Sequence, residues 1–326
     1  MSRGRGPVRV VAVGGGTGLS TLLRGLKEYP VEITAIVAVT DDGGSTGRLR
    51  DEMAIPAVGD IRNCLVALAE AEPVMAELFQ YRFRRGSLAG HSFGNLLIAA
   101  LHELLGDFGA AVRESSRILA VRGTVLPSTT GDVTLCAELE DGRLLRGEQA
   151  ITREGPRIRR LWIEPASRAP REAVEAILEA DLVALGPGSL FTSILPNLLV
   201  PGLGEALRAT RAWRLLVVNV MTQPGETDGF DALDHLEAVR RHAGDVVDAL
   251  LVNNGRPDPR ALERYRAQGS ELVAFDLPAL VSRGVRVRVA DLLQAGDLIR
   301  HDPAKLGQRL LHEAVRARRR RRAGGA

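Results

Sequence analysis

Cysteine and aromatic residues are scarce in this chain of 326 residues. It has two cysteines, Cys64 and Cys136, and phenylalanine, tryptophan and tyrosine together make up 4% of the sequence. Two cysteines so far apart give no disulfide framework and no metal-ligand spacing. We therefore expect a reducing, cytoplasmic location.

Long apolar runs are also absent, although 45% of the residues are hydrophobic. No run reaches the roughly 18–20 residues that a membrane-spanning helix needs. The short apolar run near the N-terminus leads into a glycine loop, which predicts a first strand rather than a signal peptide. We expect no membrane span.

The body of the chain lacks excess positive charge. The formal net charge is +3, but Arg316 and the run 318–322 contribute six positive charges, and without them it becomes −3. We therefore expect no nucleic acid to bind the folded body. We predict that residues 316–326 form a disordered, Arg-rich tail, for which RNA and anionic lipid stay alternative partners.

Strand and helix signals alternate in the first third of the chain. Residues 8–13 and 32–39 are β-branched runs, and a helical stretch over about 20–29 separates them. This order is typical of a βαβ unit and predicts a parallel sheet. Apolar spacings of three and four predict further helices over 61–80 and 93–121.

The middle of the chain has a different pattern. Residues at about 123–166 alternate apolar and polar, which predicts a small antiparallel β-hairpin insert with a two-residue turn at Asp141-Gly142. Four later apolar runs, including "ELVAFDL" at 271–277, each end in a polar or glycine turn, as buried parallel strands do. We predict one α/β domain over 1–326, with a parallel sheet flanked by helices and an antiparallel insert.

The loop after the first predicted strand is rich in glycine. In open parallel sheets, ligands bind beyond the carboxyl ends of the strands. The segment "GGGTGLS" lets backbone N–H groups approach an anion in front of a helix N-terminus. It is neither a Walker A loop nor the dinucleotide fingerprint, because Leu19 takes the third glycine position. The predicted phosphate contacts are Gly14, Gly15, Gly16, Thr17 and Gly18.

The loop after the second predicted strand, "TDDGGSTGRLR", combines acids, hydroxyls and bases. Asp41 or Asp42 can accept a hydrogen bond from a ribose hydroxyl or hold Mg²⁺ against a polyphosphate. We take Asp42 as the candidate metal ligand. Ser45 can donate to phosphate, and Arg48 and Arg50 can neutralise it.

Two helix entries and two later loops supply the remaining candidates. Asp60 is predicted to be a helix N-cap, with Arg62 and Asn63 in the following turn. His91 and Asn95 lie at a second helix entry, where Ser92 is a candidate cap. The later loops supply a second anion nest at Gly186, Pro187, Gly188 and Ser189, and candidates for reading a base or sugar at Asn219, Thr222, Gln223, Glu226 and Thr227.

Long motifs in a fixed order resemble one family. The segments "VVAVGGGTGLSTLLRGLK", "VTDDGGSTGRLRDE", "PAVGDIRNCLVAL", "HSFGNLLIAAL", "LGPGSLFTSILPNLLVPG", "VMTQPGETDGF" and "IRHDPAKLG" look like the bacterial gluconeogenesis factor family. The similarity covers about residues 8–310. That family is similar in fold to the Rossmann-like 2-phospho-L-lactate transferases (CofD-like), which use a guanosine nucleotide with Mg²⁺.

The resemblance implies a cytoplasmic regulatory protein that binds UDP-sugars, above all UDP-N-acetylglucosamine. It also implies a need for the protein in cell shape and peptidoglycan synthesis during gluconeogenic growth, through an unidentified protein partner. Fold relatives imply a homo-oligomer. The motifs carry ligand contacts to Gly14–Gly18, Asp41, Asp42, Asn63, Asn95 and Gly186–Ser189, and "IRHD" adds Arg300 as a ligand-closing arginine.

Two other functions would use the same cleft. A Mg²⁺-dependent phosphotransferase similar to 2-phospho-L-lactate transferase would place Asp41 or Asp42 on the metal. An NAD-dependent oxidoreductase is disfavoured by the missing third glycine, although Asp41 lies near the distance expected of a ribose-binding acid. The family brings no established catalytic activity, and Mg²⁺ is the one candidate cofactor. Whether the protein is an enzyme stays open.

Overall fold

The computed structural model of the chain describes residues 6–154 and 158–323. Its strands form a seven-stranded parallel sheet and a three-stranded antiparallel sheet. The strands are β1 (Val8–Gly14), β2 (Val31–Val37), β3 (Thr124–Pro127), β4 (Thr134–Leu139), β5 (Leu144–Arg146), β6 (Ile158–Glu164), β7 (Leu182–Leu185), β8 (Trp213–Val217), β9 (Ala249–Asn253) and β10 (Arg286–Ala290).

The strand order of the large sheet is β10-β9-β8-β7-β1-β2-β3, and its neighbouring strands are parallel. From β1 the chain proceeds to β2 and β3 on one side, and later to β7, β8, β9 and β10 on the other. The direction of winding therefore reverses between β1 and β7. A crevice opens at such a switch point, beyond the carboxyl ends of the strands. The predicted α/β fold class is confirmed.

Helices cover both faces of the sheet, as right-handed crossovers between parallel strands require. They are α1 (Gly16–Lys27), α2 (Gly44–Met53), α3 (Gly59–Leu68), α4 (Pro73–Gln80), α5 (Phe93–Leu105), α6 (Phe108–Ile118), α7 (Glu148–Glu154), α8 (Arg171–Glu179), α9 (Leu195–Leu198), α10 (Leu203–Ala209), α11 (Ala232–Ala243), α12 (Pro259–Arg266), α13 (Leu277–Ser282) and α14 (Pro303–Ala323), with a π-helical turn at Leu190–Ile194.

Two predicted long helices are each divided in two. The span 61–80 contains α3 and α4, and Pro73 is the first residue of α4. Proline lacks the N–H that a helix interior needs, but the first turn of a helix does not use that N–H, so proline is suited to a helix start. The span 93–121 contains α5 and α6, and Gly106 ends the first helix at φ 69°. Glycine adopts this left-handed conformation without steric cost.

The antiparallel insert is smaller than predicted. Residues 124–127 form β3, which pairs with β2 at the edge of the parallel sheet, so the insert comprises β4, β5, α7 and β6. The predicted hairpin is present, but the prediction of a two-residue turn is wrong. Gly142 N donates to Leu139 O at 3.0 Å and Leu139 N to Arg143 O at 2.9 Å, which closes a three-residue loop.

The last strand was predicted in the wrong place. "ELVAFDL" forms only an isolated bridge between Leu272 and Met221, and the seventh strand is β10, "RVRVA". This edge strand lacks the apolar run of a buried strand. Its residues Arg286 and Arg288 lie 4.9 and 6.0 Å from the ring centroid of Trp213, so arginines take the place of apolar side chains there.

The predicted disordered tail is wrong over residues 316–323, which belong to α14. Arginine is a good helix former. Arg321 Nη1 donates to Ala180 O at 2.5 Å, and Arg320 lies 5.7 Å from the Trp213 ring centroid, so the helix end contacts the body. Residues 324–326 lie outside the described residues.

Across the described part of the chain, no single helix is long and apolar enough to span a membrane. The bent pair Leu190–Leu198 and Leu203–Ala209 reaches the required length and composition only jointly, across a 75° bend.

A candidate ligand cleft at the topological switch point

A polar cleft of about 550 Å³ lies beyond the carboxyl ends of β1, β7 and β8. The loop 15–18 follows β1, the loop 187–189 follows β7, and the loop 219–224 follows β8. The segment 299–301 closes one side, and Glu148 reaches the cleft from the insert. The cleft thus lies where the winding of the sheet reverses, as the rule for doubly wound sheets requires.

The two glycine-rich loops pack directly on each other. Gly186 N donates to Val13 O at 2.8 Å, which joins the second loop to the end of β1. A Cβ atom on Gly18 would lie 2.5 Å from Pro187 O, closer than real Cβ contacts. Only glycine therefore allows this approach. The result is a wall of backbone beside the N-terminus of α1, where a helix presents unpaired N–H groups and partial positive charge.

Asn219 fixes the second glycine loop. Gly188 N donates to Asn219 Oδ1 at 3.0 Å, and Asn219 Nδ2 donates to Gly188 O at 2.8 Å. Asn219 lines the cleft, as predicted, but both ends of its amide are engaged by the loop. Its role in the structure is to hold the backbone of the loop in place.

Glu226 stabilises the helical turn that follows this loop. The fully buried carboxyl accepts hydrogen bonds from Ser189 Oγ, Phe191 N (2.8 Å) and Thr192 N (3.1 Å). Burial raises its pKa, and these hydrogen bonds oppose the rise. The predicted role of Glu226 in reading a base or sugar is therefore wrong, because it is enclosed behind the loop.

Arg300 supplies the positive charge of the cleft. Among the residues that the structure describes, it is the one arginine or lysine lining the cleft, and it is exposed. Its Nε donates to Gln294 Oε1 at 2.7 Å. Within residues 6–154 and 158–323, no protein group accepts a hydrogen bond from the terminal N–H groups of the guanidinium, so they are available to an anionic ligand.

Asp60 is a site residue that the sequence analysis assigned only a capping role. It lies in the first turn of α3 and caps nothing there, since Val58 is the N-cap residue. Its carboxyl accepts hydrogen bonds from Gly16 N and the Asn63 side chain, and a Cβ atom on Gly15 would collide with its Oδ2. Burial, and then the charge of Asp41, raise its pKa to about 6. No spacing in the sequence points to this contact.

Glu148 is a second residue that the sequence analysis missed. It begins α7 in the insert and lines the cleft opposite the glycine loops. Burial raises its pKa well above the usual value, and the charges of Asp41, Asp60 and Asp42 add to the rise. The insert therefore brings to the cleft a carboxyl group whose protonated form is favoured relative to that of an ordinary glutamate.

The predicted metal ligand Asp42 does not line the cleft. Its Oδ1 accepts from Gln149 N at 3.1 Å, and its backbone carbonyl accepts from Gln149 Nε2 at 2.9 Å. Asp41 diverges from it and accepts from Gly43 N at 2.8 Å. No three His, Cys, Asp or Glu residues in the described ranges form a group that could hold a metal ion. Asp42 therefore does not fit the predicted role.

A second buried polar cluster lies beside α2, α3 and α5. Ser45 Oγ accepts from Asn95 Nδ2 at 3.2 Å and lies 3.2 Å from His91 Nδ1. Arg62 donates to Asn95 Oδ1 at 3.1 Å and to Asn63 Oδ1 at 2.7 Å. Burial, and then Arg48, lower the pKa of His91. These hydrogen bonds join the three helices, although Arg62 Nε is buried without a partner among the described residues.

The arginines after β2 contact protein groups. Arg50 donates to Asp132 Oδ1 at 2.7 Å and to the carbonyls of Thr40, Asp41 and Val133, while Arg48 donates to Ala89 O at 3.0 Å. Neither lines the cleft. In this arrangement both arginines are engaged by protein groups outside the cleft, and their role toward a phosphate stays a prediction.

The structure thus divides the predicted site into two groups. Those that line the cleft are Gly15, Gly16, Thr17, Gly18, Pro187, Gly188, Ser189, Asn219, Thr222 and Arg300. Those that do not are Gly14, Asp41, Asp42, Ser45, Arg62, Asn63, His91, Asn95 and Gly186.

Fold and cleft together define a doubly wound α/β protein with a polar, glycine-walled crevice at its switch point. The family model described as "2-phospho-L-lactate transferase CofD" matches residues 10–293. A putative gluconeogenesis factor of Aquifex aeolicus is 49% identical over 314 residues, 93% of this chain and 96% of that protein. The gluconeogenesis factor of Bacillus subtilis is 48% identical over 307 residues, 93% of this chain and 97% of that protein.

A solved structure supports the same relationship. The crystal structure of a UPF0052-family protein from Bacillus halodurans matches with a TM-score of 0.91 at 46% identity, over 93% of this chain and 99% of that one. The chain therefore belongs to the gluconeogenesis factor family, whose fold is CofD-like. The predicted family resemblance is confirmed.

Proposed function

We propose that this protein binds a UDP-sugar, above all UDP-N-acetylglucosamine, in the cleft at the switch point. The contact between the two glycine loops is the observation that supports this most. A Cβ at Gly18 would lie 2.5 Å from Pro187 O, so the loops form one backbone wall next to a helix N-terminus. Such walls suit diphosphates. The volume of about 550 Å³ lies within the range of about 300–1,000 Å³ typical of small-molecule sites.

The chemistry of the cleft suits the parts of such a ligand. The diphosphate would lie along the loops 15–18 and 187–189, with Arg300 balancing its charge. The wall beyond β8 carries Val220, Met221 and Tyr265, which suits the flat face of a base or sugar.

In this proposal the protein is a cytoplasmic regulator of cell shape and cell-wall synthesis during gluconeogenic growth. The names of its relatives, gluconeogenesis factor or putative gluconeogenesis factor, support the link to gluconeogenic growth. Binding of the nucleotide sugar would change contacts with a protein partner in cell-wall synthesis, and the protein would act as a homo-oligomer.

A Mg²⁺-dependent phosphotransferase is the second candidate function. The matching family model bears a transferase name, the Asp60 carboxyl lies against the first glycine loop, and Glu148 lines the cleft. Mg²⁺ commonly binds proteins through one or two carboxylates together with substrate phosphates. These two residues are the carboxylates that would hold the metal beside a bound diphosphate.

Calorimetric titration with UDP-N-acetylglucosamine, with and without Mg²⁺, tests the proposal. We expect micromolar binding and an unchanged nucleotide sugar when the sample is later separated by chromatography. Absence of binding would contradict it. The transferase function would instead give turnover of guanosine-diphospho-phospholactate with a deazaflavin acceptor, so that assay separates the two functions.

A further inference from the structure

Histidines with a buried, partnerless Nε2 atom occur at three places in the described ranges: His235, His242 and His301. Of these, only His301 lines the cleft. His235 packs edge-on against Phe230 and His242 against Phe191, so their rings belong to an aromatic cluster. No aromatic contact of this kind is recorded for His301. Core packing therefore explains the first two rings and leaves the third unexplained.

The hydrogen bonding of His301 fixes its free nitrogen as an acceptor. The ring is 6% exposed, and the backbone carbonyl of Val218 is the hydrogen-bonding group that opposes the lowering of its pKa. Because Nε2 has no partner, the donating nitrogen is Nδ1, and Nε2 of the neutral ring carries only a lone pair. Burial lowers the pKa to about 4, so the ring stays neutral at pH 7. An unpaired buried acceptor is unfavourable.

The other polar side chains on the same wall are already engaged. Thr222 Oγ1 accepts from Glu271 N at 2.8 Å, and the Tyr265 hydroxyl accepts from Ile299 N at 3.3 Å. The Asn219 amide is held by the second glycine loop. On this side of the cleft, His301 Nε2 is thus a buried acceptor that has no partner at all among the described protein groups.

We propose that His301 is a specificity-determining residue, whose Nε2 accepts a hydrogen bond from an N–H or O–H donor of the bound nucleotide sugar. This inference rests on the proposed function. Three parts of the ligand offer such a donor, namely the uracil imide N–H, the ribose hydroxyls, and the hydroxyl or amide groups of the sugar.

The test compares His301→Phe with His235→Phe by calorimetry. Both variants remove a buried imidazole with a partnerless Nε2, but only the first lies at the cleft. We expect His301→Phe to weaken binding of UDP-N-acetylglucosamine by about tenfold or more, and His235→Phe to bind like wild type. A loss that persists with UDP places the donor on the uridine part of the ligand, and a loss confined to the sugar nucleotide places it on the sugar.

A second measurement uses the wild-type protein and does not depend on the folding of a variant. The ¹⁵N NMR signal of His301 Nε2 should move from that of a free acceptor toward that of a hydrogen-bonded one when UDP-N-acetylglucosamine is added. An unmoved signal at saturating ligand, or a folded His301→Phe variant that binds like wild type, would overturn the inference. Wild-type protein that does not bind at all would instead contradict the proposed function.

Discussion

The carboxylate of Asp42 accepts a hydrogen bond from the backbone N–H of Gln149 at 3.1 Å. This contact joins the loop after β2 to the first turn of α7, where an acceptor stabilises the unpaired N–H groups of a helix. Glu148 is adjacent in sequence and lines the cleft. Asp42 therefore influences the cleft through the position of the insert, without lining it.

Replacing Asp42 should mainly affect stability. We expect Asp42→Ala to lower the free energy of unfolding by about 1 kcal/mol, the usual cost of losing a helix-capping acceptor. Binding of UDP-N-acetylglucosamine should weaken by less than in Arg300→Ala. Asp42→Asn keeps an acceptor oxygen and is the control. An Asp42→Ala protein of unchanged Tm that no longer binds ligand would show that Asp42 contacts the ligand or a metal.

Replacing Arg300 should affect binding without affecting stability. The side chain is exposed, and its recorded hydrogen-bond partner is Gln294. Loss of a charge-assisted contact to phosphate should weaken binding of UDP-N-acetylglucosamine by about tenfold or more, which is about 1.4 kcal/mol. Thermal unfolding should be unchanged. Arg84→Ala, which removes an exposed arginine that does not line the cleft, should bind like wild type.

Asp60 should make stability depend on pH in a defined direction. Its folded-state pKa, about 6, lies above its ordinary value of 3.8. Between pH 3.8 and about pH 6 the folded state therefore binds more protons at Asp60 than the unfolded state does. The stability that this proton binding contributes falls as the pH rises through that window. At pH 7.5 the free energy of unfolding of Asp60→Asn should exceed that of wild type by about 2 kcal/mol after discounting for partial exposure, and at pH 4 the two should be almost equal.

Asp60→Asn keeps a side-chain oxygen that can accept the hydrogen bond from Gly16 N, so the glycine loop should keep its conformation. Scanning calorimetry of wild type and Asp60→Asn at the two pH values measures this difference in stability. Both proteins contain the same histidines, so the pH-dependent contributions of the histidines cancel in the comparison. An equal difference at both pH values would show that Asp60 has no raised pKa.

Gly18 should be intolerant of any side chain. A Cβ there would lie 2.5 Å from Pro187 O and 2.8 Å from Gly188 Cα, so the two loops would have to separate. We expect Gly18→Ala to cost about 1–3 kcal/mol of stability and to weaken ligand binding more than tenfold. Gly109→Ala is the matched control, because its Cβ would meet only side-chain ends, those of Arg113, Asp107 and Thr130, none closer than 3.3 Å, and alanine favours a helix.

The order of strands and helices in the first third followed from hydrophobic periodicity, because β1, β2 and their connecting helix each bury a regular face. Periodicity failed at β10, where Arg286 and Arg288 pack on Trp213 at the sheet edge. It also failed at the Arg-rich end of α14, which contacts of Arg320 and Arg321 with the body hold in place. In each case a long-range contact stabilised a segment whose local composition indicated otherwise.

The sequence by itself determined that this protein is a parallel α/β protein whose strands end in glycine-rich and polar loops. Only the tertiary structure decided which polar residues share one cleft. Asp41 and Asp42 are neighbours in sequence but diverge, whereas Asp60, Glu148 and His301 reach the glycine loops or the cleft from distant elements. The physical reason is that periodicity reports which face is buried, while the partner of a polar side chain depends on strand order and helix packing.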